Sequence, residues 1–241
     1  LRSERNWGIG DFGDLSTLVE WAGTDLSAGV IGLNPLHALK NTRPYHISPY
    51  SPSSRLYLNE LYIDIDRVAE AETTPDVQKH LADPAFRAQL TKARTSEYVD
   101  YEAVAALKRT VLDLCYRTFL RDNFEGMEPD LKPTTARGWF FHSYVQQEGK
   151  PLAEYALFHA LEDERQFVQS RSFVWADWPE AYRTPASDAV AELVGREAGD
   201  AAGKGRAVPR RRGPEQLGQG GEGIRRGAGV RGLRVVARGA G

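Results

Sequence analysis

The segment Pro44–Arg55 (PYHISPYSPSSR) combines residue types that could bind a sugar. Its prolines fix the backbone φ and lower the entropy cost of holding Tyr45 and Tyr50 in place. A tyrosine held in this way presents an apolar ring face and a hydroxyl at its tip, which suits the C–H face and the hydroxyls of a sugar. The alternative is a surface loop that packs only on itself, and composition alone does not separate the two.

Other residues that could do chemistry give weaker signals. The histidines, at 37, 46, 80, 142 and 159, lack the spacing of zinc ligands, although His37 and His46 flank the tyrosine loop. Cys115 lies on a helical apolar stripe, so we expect a buried core residue rather than a nucleophile. No G-x-S-x-G, P-loop or metalloprotease motif occurs. These residues predict neither a metal nor a cofactor.

The stretch Gly8–Gly13 (GIGDFG) matches the G-x-G-x-x-G pattern of dinucleotide-binding loops. The pattern requires a preceding strand and an acidic residue about twenty positions later. The preceding LRSERNW is polar, and Asp11 and Asp14 would repel a pyrophosphate. We therefore reject a nucleotide site and expect the glycines to let the backbone turn into a first helix.

The elements around the tyrosine loop suggest an α/β fold. Asp14 is placed to cap a helix over DLSTLVEWAGTDL. The short apolar run GVIGLNPL then predicts a strand buried on both faces, directly before the loop. After the loop, alternation in LNELYIDID predicts a second strand. A helix, a buried strand and a long loop in this order are typical of an α/β sheet or barrel.

From Val68 to about Ala198 the pattern is helical. YEAVAALKRTVLDLCYRTFL places Val104, Leu107 and Val111 on one apolar face, and Pro151 suits the first turn of a later helix. No apolar stretch approaches the roughly 20 residues of a membrane span. One cysteine fits a reducing compartment.

The last 39 residues have a different composition. Residues 203–241 contain twelve glycines and no aromatic residue, and nine Arg with one Lys against two Glu give a net charge of +8, which leaves −10 for the rest. Such a segment buries too little apolar area to fold, so we expect a disordered or frameshifted tail beginning near Ala202. A nucleic-acid-binding tail is the alternative, but the aromatic residues used for base stacking are missing.

Five segments in register, LRSERNWGIGDFGDL, IGLNPLHAL, SPYSPSSRLYLNELYIDI, VDYEAVAALK and WPEAYRTPAS, resemble the 4-α-glucanotransferases of the amylomaltase family, glycoside hydrolase family 77, of the longer bacterial type. The resemblance covers about Leu1 to Asp200. It implies that residues 1–67 begin a (β/α)8 TIM barrel and that residues 68–200 form a large helical insertion before the tail at 201–241.

The resemblance also implies a function. Family members transfer segments between maltooligosaccharides and other α-1,4-glucans by a retaining double displacement, in which an Asp attacks the anomeric carbon and a Glu acts as acid and base. It implies a cytoplasmic enzyme without a metal or cofactor, with no nucleic-acid or membrane partner, and leaves the oligomeric state open. A related α-glucan hydrolase and a noncatalytic glucan-binding fragment remain as alternatives.

Few site residues carry over from the family. Ser48, Pro49 and Tyr50 match its Ser-Pro-Tyr element, which lines the glucan cleft, and Asn34 and His37 match the segment beside it. We expect these five to bind the substrate. The family's catalytic Asp and Glu lie on later barrel strands, so no catalytic residue is assigned, and we expect a chain that starts within a longer protein and is inactive alone. Asp64 and Asp66 match neither and are expected to be structural.

Overall fold

The computed structural model describes residues 2–41, 47–126, 131–163 and 175–193, which are mostly helical. The helices are α1 Phe12–Thr24, α2 Ala69–Thr73, α3 Pro75–Ala82, α4 Pro84–Thr95, α5 Tyr101–Asn123 and α6 Ala136–Asp163. The strands are β1 His37–Ala38, β2 Ser54–Leu58, β3 Phe124–Glu125 and β4 Lys132–Pro133, paired antiparallel as β1–β2 and β3–β4. The chain divides into two compact units, one ending at Leu120 and the other starting at Arg121.

The first helix begins three residues earlier than predicted. Asp11, not Asp14, is its N-cap, and the Asp11 carboxylate accepts hydrogen bonds from the backbone N–H groups of Gly13 and Asp14. Asp14 is the third helical residue, and its carboxylate accepts from the backbone N–H of Asp11 at 3.1 Å. This reciprocal pair is a capping box in which Asp takes both roles.

The prediction of a buried strand in GVIGLNPL is wrong. Residues 29–36 have no regular secondary structure, and Val30 and Leu33 are 86% and 50% exposed. Within the described residues, the sheets are two-stranded and no strand flanks residues 29–35. Because a two-sided buried strand needs hydrogen-bonded neighbours, the apolar run alone does not form one.

The strand predicted in LNELYIDID is also wrong. This segment forms two 3-10 turns, Glu60–Tyr62 and Ile65–Arg67, capped by the side chains of Asn59 and Asp64. Leu61 and Ile65, four residues apart, are 1% and 2% exposed, so both face the core. The apolar alternation over this segment therefore arises from successive turns.

The predicted helical character after Val68 is confirmed for the described residues up to 163, and the apolar face of α5 lies in the core as expected. Residues from both sides of position 67 share this core, including Trp7 and Phe86, whose rings meet edge to face with centroids 5.5 Å apart. Cys115 is 3% exposed and belongs to the same cluster. Burial raises the pKa of its thiol to about 11, which suits a core residue and not a nucleophile.

The second unit contains its own small core. The buried residues of this core are Leu161, Trp178 and Val190. The ring of Phe158 stacks on the ring of Trp178, with the two ring centroids 5.2 Å apart. Helix α6 is interrupted at Gly149, which has φ 53° and ψ −133°. Pro151 follows two residues later, so it lies in the first turn of the second half, where a missing backbone N–H costs little.

Two glycines of GIGDFG have a structural reason, and the predicted backbone turn before α1 is seen at Gly8. Gly8 has φ +92°, and a Cβ atom there would lie 2.5 Å from the carbonyl oxygen of Ala93. At Gly13 a Cβ atom would lie 2.1 Å from Oδ2 of Asp64 and 2.7 Å from the guanidinium of Arg5. The missing side chains thus allow α4 and a charged cluster to approach this backbone.

That charged cluster is centred on Arg5. Its guanidinium contacts the carboxylates of Asp11, Asp14 at 3.1 Å and Asp64 at 2.7 Å, all three of them buried. The hydrogen bond to Asp11 and the surrounding carboxylates raise the pKa of Arg5 above its ordinary value. Although burial opposes it, hydrogen bonds from Asn6 and Ser3 hold the pKa of Asp14 below its usual range.

Replacing Arg5 by methionine leaves these three buried carboxylates without their shared cation. Since the Arg5 side chain is 37% exposed, we expect a loss of about 2–3 kcal/mol in the free energy of unfolding, below the cost of a fully buried pair. Urea denaturation, monitored by tryptophan fluorescence, measures this change in the free energy of unfolding. Arg67→Met is the matched control, because Arg67 is 66% exposed and reaches only Asp64, at 3.4 Å; a loss as large as that of Arg5→Met would contradict the role of the cluster.

Lys108 on α5 is a second buried charge. It is 1% exposed, and its Nζ donates to the carbonyl oxygens of Leu61 at 2.6 Å and Ile63 at 2.8 Å. These bonds attach the first 3-10 turn to α5. Burial lowers the pKa of Lys108 to about 8, although the carboxylates of Asp11 and Asp64 oppose the shift.

The lowered pKa gives a pH dependence of known sign. Between pH 8 and 10.5 the unfolded chain holds a proton on Lys108 that the folded chain has lost, so stability rises with pH. We expect a gain of roughly 2 kcal/mol in the free energy of unfolding from pH 7.5 to 9.5, and a flat profile in Lys108→Met.

Denaturant titrations at a series of pH values check this expectation. Lys92→Met, at an exposed position of α4, should keep the wild-type profile. A profile that rises equally in Lys108→Met would show that Lys108 is not the titrating group.

Candidate substrate-binding site

The tyrosine loop connects two antiparallel strands. β1 pairs with β2 through His37 opposite Leu58 and Ala38 opposite Ser54, with an irregularity between the two pairs. The backbone N–H of Ser53 donates to the carbonyl oxygen of Ala38 at 2.9 Å, at the point where the loop returns. The residues before and after the loop are therefore held together by backbone hydrogen bonds.

The base of the loop contains two buried asparagines. Nδ2 of Asn59 donates to Oδ1 of Asn41 at 2.7 Å, and the two residues are 3% and 2% exposed. Asn41 adopts φ 54°, a left-handed conformation that asparagine tolerates better than most residues. The guanidinium of Arg109 donates to the carbonyl oxygen of Lys40 at 3.2 Å, which ties the base to α5.

The tip of the loop presents Tyr50. The backbone N–H of Ser51 donates to the carbonyl oxygen of Ser48 at 3.1 Å, and Pro49 occupies the second position of this turn, where its fixed φ is favourable. Tyr50 is 66% exposed, and its hydroxyl donates to Oδ1 of Asn34 at 2.9 Å. The structure therefore brings together two residues that the sequence predicted for substrate binding.

The other predicted residues lie on the same loop or its first strand. Ser48 is exposed and Pro49 half-buried in the turn, while His37 is half-buried in β1. Among the described contacts, the Asn34–Tyr50 hydrogen bond alone joins side chains of two of the five predicted residues. Tyr45 and His46 lie outside the described residues.

Exposed apolar side chains lie near the loop tip in sequence. Ile47 is 41% exposed, and Leu56 and Leu58, two residues apart on one face of β2, are 75% and 61% exposed. Leu33, next to Asn34, is 50% exposed. One exposed ring and exposed hydrocarbon, together with a few hydrogen-bonding groups, are residue types that can contact the C–H faces and hydroxyls of a sugar.

Asp64 has the structural role that was predicted for it. Asp64 is buried against Arg5 and accepts from the backbone N–H of Asp66 at 3.2 Å, which caps a 3-10 turn. Burial and the charge of Asp64 raise the pKa of Asp66. Within the described ranges, no group of three or more His, Cys, Asp or Glu could hold a metal ion, and no helix could span a membrane.

Sequence reasoning missed the two anchoring asparagines. They pair across 18 residues, so local patterns do not reveal the contact. A partial signal exists, because Asn59 precedes a turn and accepts from the backbone N–H of Leu61 at 3.0 Å, as a capping residue does.

Comparison with known families identifies the class. The model of glycoside hydrolase family 77, described as 4-alpha-glucanotransferase, matches residues 1–202. The chain therefore belongs to glycoside hydrolase family 77, in agreement with the resemblance noted in its motifs.

Curated relatives carry the same description. The chain is 35% identical to a 4-alpha-glucanotransferase of Haemophilus influenzae over 181 residues, which cover 74% of this chain and 25% of the relative. It is 27% identical to a 4-alpha-glucanotransferase of Mycobacterium tuberculosis over 212 residues, covering 82% of this chain and 25% of the relative. The chain thus spans about a quarter of the length of these relatives.

Proposed function

We propose that this chain is part of a 4-α-glucanotransferase and forms one wall of its glucan-binding groove, at the loop that carries Tyr50. Family membership supports the reaction class. The observation that carries the assignment of the site is the exposed Tyr50 ring, whose hydroxyl is held by the side chain of Asn34. Ser48, Pro49 and His37 complete the proposed wall, and the substrates are α-1,4-glucans and maltooligosaccharides.

The proposed architecture follows the family. Residues 1–67 contribute the opening of a (β/α)8 barrel, and residues 68–200 form a helical insertion. The abundance of helix after residue 68 supports the second assignment. Family membership supports the first assignment.

The proposed reaction is a retaining double displacement. An Asp forms a covalent glycosyl intermediate, and a Glu about 5 Å away first protonates the leaving oxygen and then activates the acceptor. Neither residue is assigned in this chain, and the Asp64 carboxylate is occupied by Arg5. The role proposed for the chain is therefore to position the glucan. Transfer prevails over hydrolysis when an acceptor hydroxyl, and not water, reaches the intermediate.

Tyr50→Ala tests the proposed groove wall. The 241-residue chain is titrated with maltoheptaose by calorimetry, and we expect the dissociation constant to rise about tenfold, since one stacking ring is lost. Tyr98→Ala is the matched control, because Tyr98 is 78% exposed but distant in sequence from the loop. Equal affinities in wild type and Tyr50→Ala would contradict the assignment of the site.

Incubation of the same chain with maltotriose tests whether the chain only positions the glucan or also catalyses a reaction. We expect neither longer oligosaccharides nor glucose, because the chain positions a glucan and carries no assigned nucleophile. Chromatography of the products measures both outcomes. Longer oligosaccharides would place a catalytic pair within this chain, whereas glucose alone would indicate an α-glucan hydrolase.

A further inference from the structure

We infer that Asn34 is a positioning residue for Tyr50, and that the two side chains act as one hydrogen-bonding unit toward an α-linked glucose ring. The inference rests on the proposed function for the identity of the ligand. Its structural basis is the 2.9 Å hydrogen bond from the Tyr50 hydroxyl to Oδ1 of Asn34, formed between exposed residues 16 positions apart.

The hydrogen bond fixes the outer end of the ring. An exposed tyrosine otherwise samples several rotamers, and ordering it on ligand binding costs free energy. Pro49 restricts the backbone on the inner side of Tyr50, and Asn34 holds the hydroxyl on the outer side. The position of the hydroxyl, and with it the direction of the ring axis, is therefore set before a ligand arrives.

The backbone around both residues maintains this distance. Asn34 lies two residues before Leu36, whose carbonyl oxygen accepts from the backbone N–H of Asn59 at 3.0 Å. Tyr50 lies inside the turn closed by the hydrogen bond from Ser51 to Ser48. Two separately anchored segments thus bring the hydroxyl and the amide together.

The direction of the bond determines what the pair offers to a sugar. The single hydroxyl proton of Tyr50 is donated to Asn34, so the Tyr50 oxygen can only accept. The two N–H groups on Nδ2 of Asn34 remain donors. An acceptor flanked by donors complements neighbouring hydroxyls of a glucose unit, since each hydroxyl can both donate and accept. Asn34 therefore contributes to orientation as well as to affinity.

Nuclear magnetic resonance of the chain with ¹³C-labelled tyrosine rings tests the positioning directly, without a ligand. We expect Asn34→Ala to lower the order parameter of the Tyr50 ring and shift its signals. Asn34→Asp keeps the acceptor oxygen and should preserve the order of the ring. Tyr98 is the internal reference, and all variants should unfold at the wild-type temperature because both residues are exposed. An unchanged Tyr50 ring in Asn34→Ala would overturn the inference.

Titration with maltoheptaose tests whether the Asn34 and Tyr50 side chains bind the sugar as one hydrogen-bonded pair. Asn34→Ala and Tyr50→Phe should each weaken binding about fivefold, and the double variant should weaken it by clearly less than the product of the two, about 25-fold, because both changes remove the same Tyr50–Asn34 hydrogen bond. Asn34→Asp should bind weakly despite its ordered ring, since the two donors are lost.

The outcomes separate the inference from the proposed function. If Tyr50→Ala weakens binding but Asn34→Ala and Tyr50→Phe do not, the groove wall stands and the unit is refuted. If Tyr50→Ala has no effect, the groove wall is refuted, and the order of the ring in Asn34→Ala alone decides whether Asn34 positions Tyr50.

Discussion

One guanidinium group holds the amino-terminal part of this chain together. Arg5 faces three buried carboxylates from two places in the sequence, the start of α1 and the 3-10 turn at Asp64. Neither place could bury its carboxylates without a cation, because an unpaired buried charge costs several kcal/mol. Arg94 of α4 donates to the carbonyl oxygens of Arg5 and Asn6, both at 2.7 Å, so the segment carrying the cation is itself fixed. The charge of Arg5 thus joins the turn to α1, and Arg94 joins α4 to the segment that carries Arg5.

This cluster also explains why the glycine motif resembles a nucleotide loop without being one. Where a dinucleotide loop offers free backbone N–H groups to a phosphate, the N–H groups of Gly13 and Asp14 are bound by the carboxylate of Asp11. The anion is supplied by the protein, and Gly13 leaves the space that Arg5 and Asp64 fill. A tight glycine turn into a helix is shared by both types of site.

The helices could be predicted from sequence far better than the strands. Helix α5 follows a regular apolar period over 23 residues, and its buried face was correct at Val104, Leu107 and Val111. The short runs GVIGLNPL and LNELYIDID contain too few residues for an apolar period to repeat several times. In the second, Leu61 and Ile65 satisfy both an alternating and a four-residue spacing, and the caps at Asn59 and Asp64 decide in favour of turns. Short apolar segments take their conformation from partners that a local pattern does not specify.

Some features of the candidate site could likewise be predicted from the sequence, and others could not. Residue types predicted that Tyr50 would be exposed on a proline-stiffened loop, and the structure agrees. Asn34 was predicted as a sugar contact on its own. In the structure its side-chain oxygen Oδ1 accepts a hydrogen bond from the Tyr50 hydroxyl. The Asn41–Asn59 pair under the loop depends on the strand register and on a left-handed residue at position 41, and neither can be read from composition.

The outward face of β2 has a consequence for how the protein behaves in solution. Leu56 and Leu58 keep most of their surface in water, and the net charge of the whole chain is only −2. Adjacent hydrocarbon favours contact between molecules, and so small a charge provides little repulsion against it. The two leucines on this five-residue strand therefore favour association between molecules at high concentration.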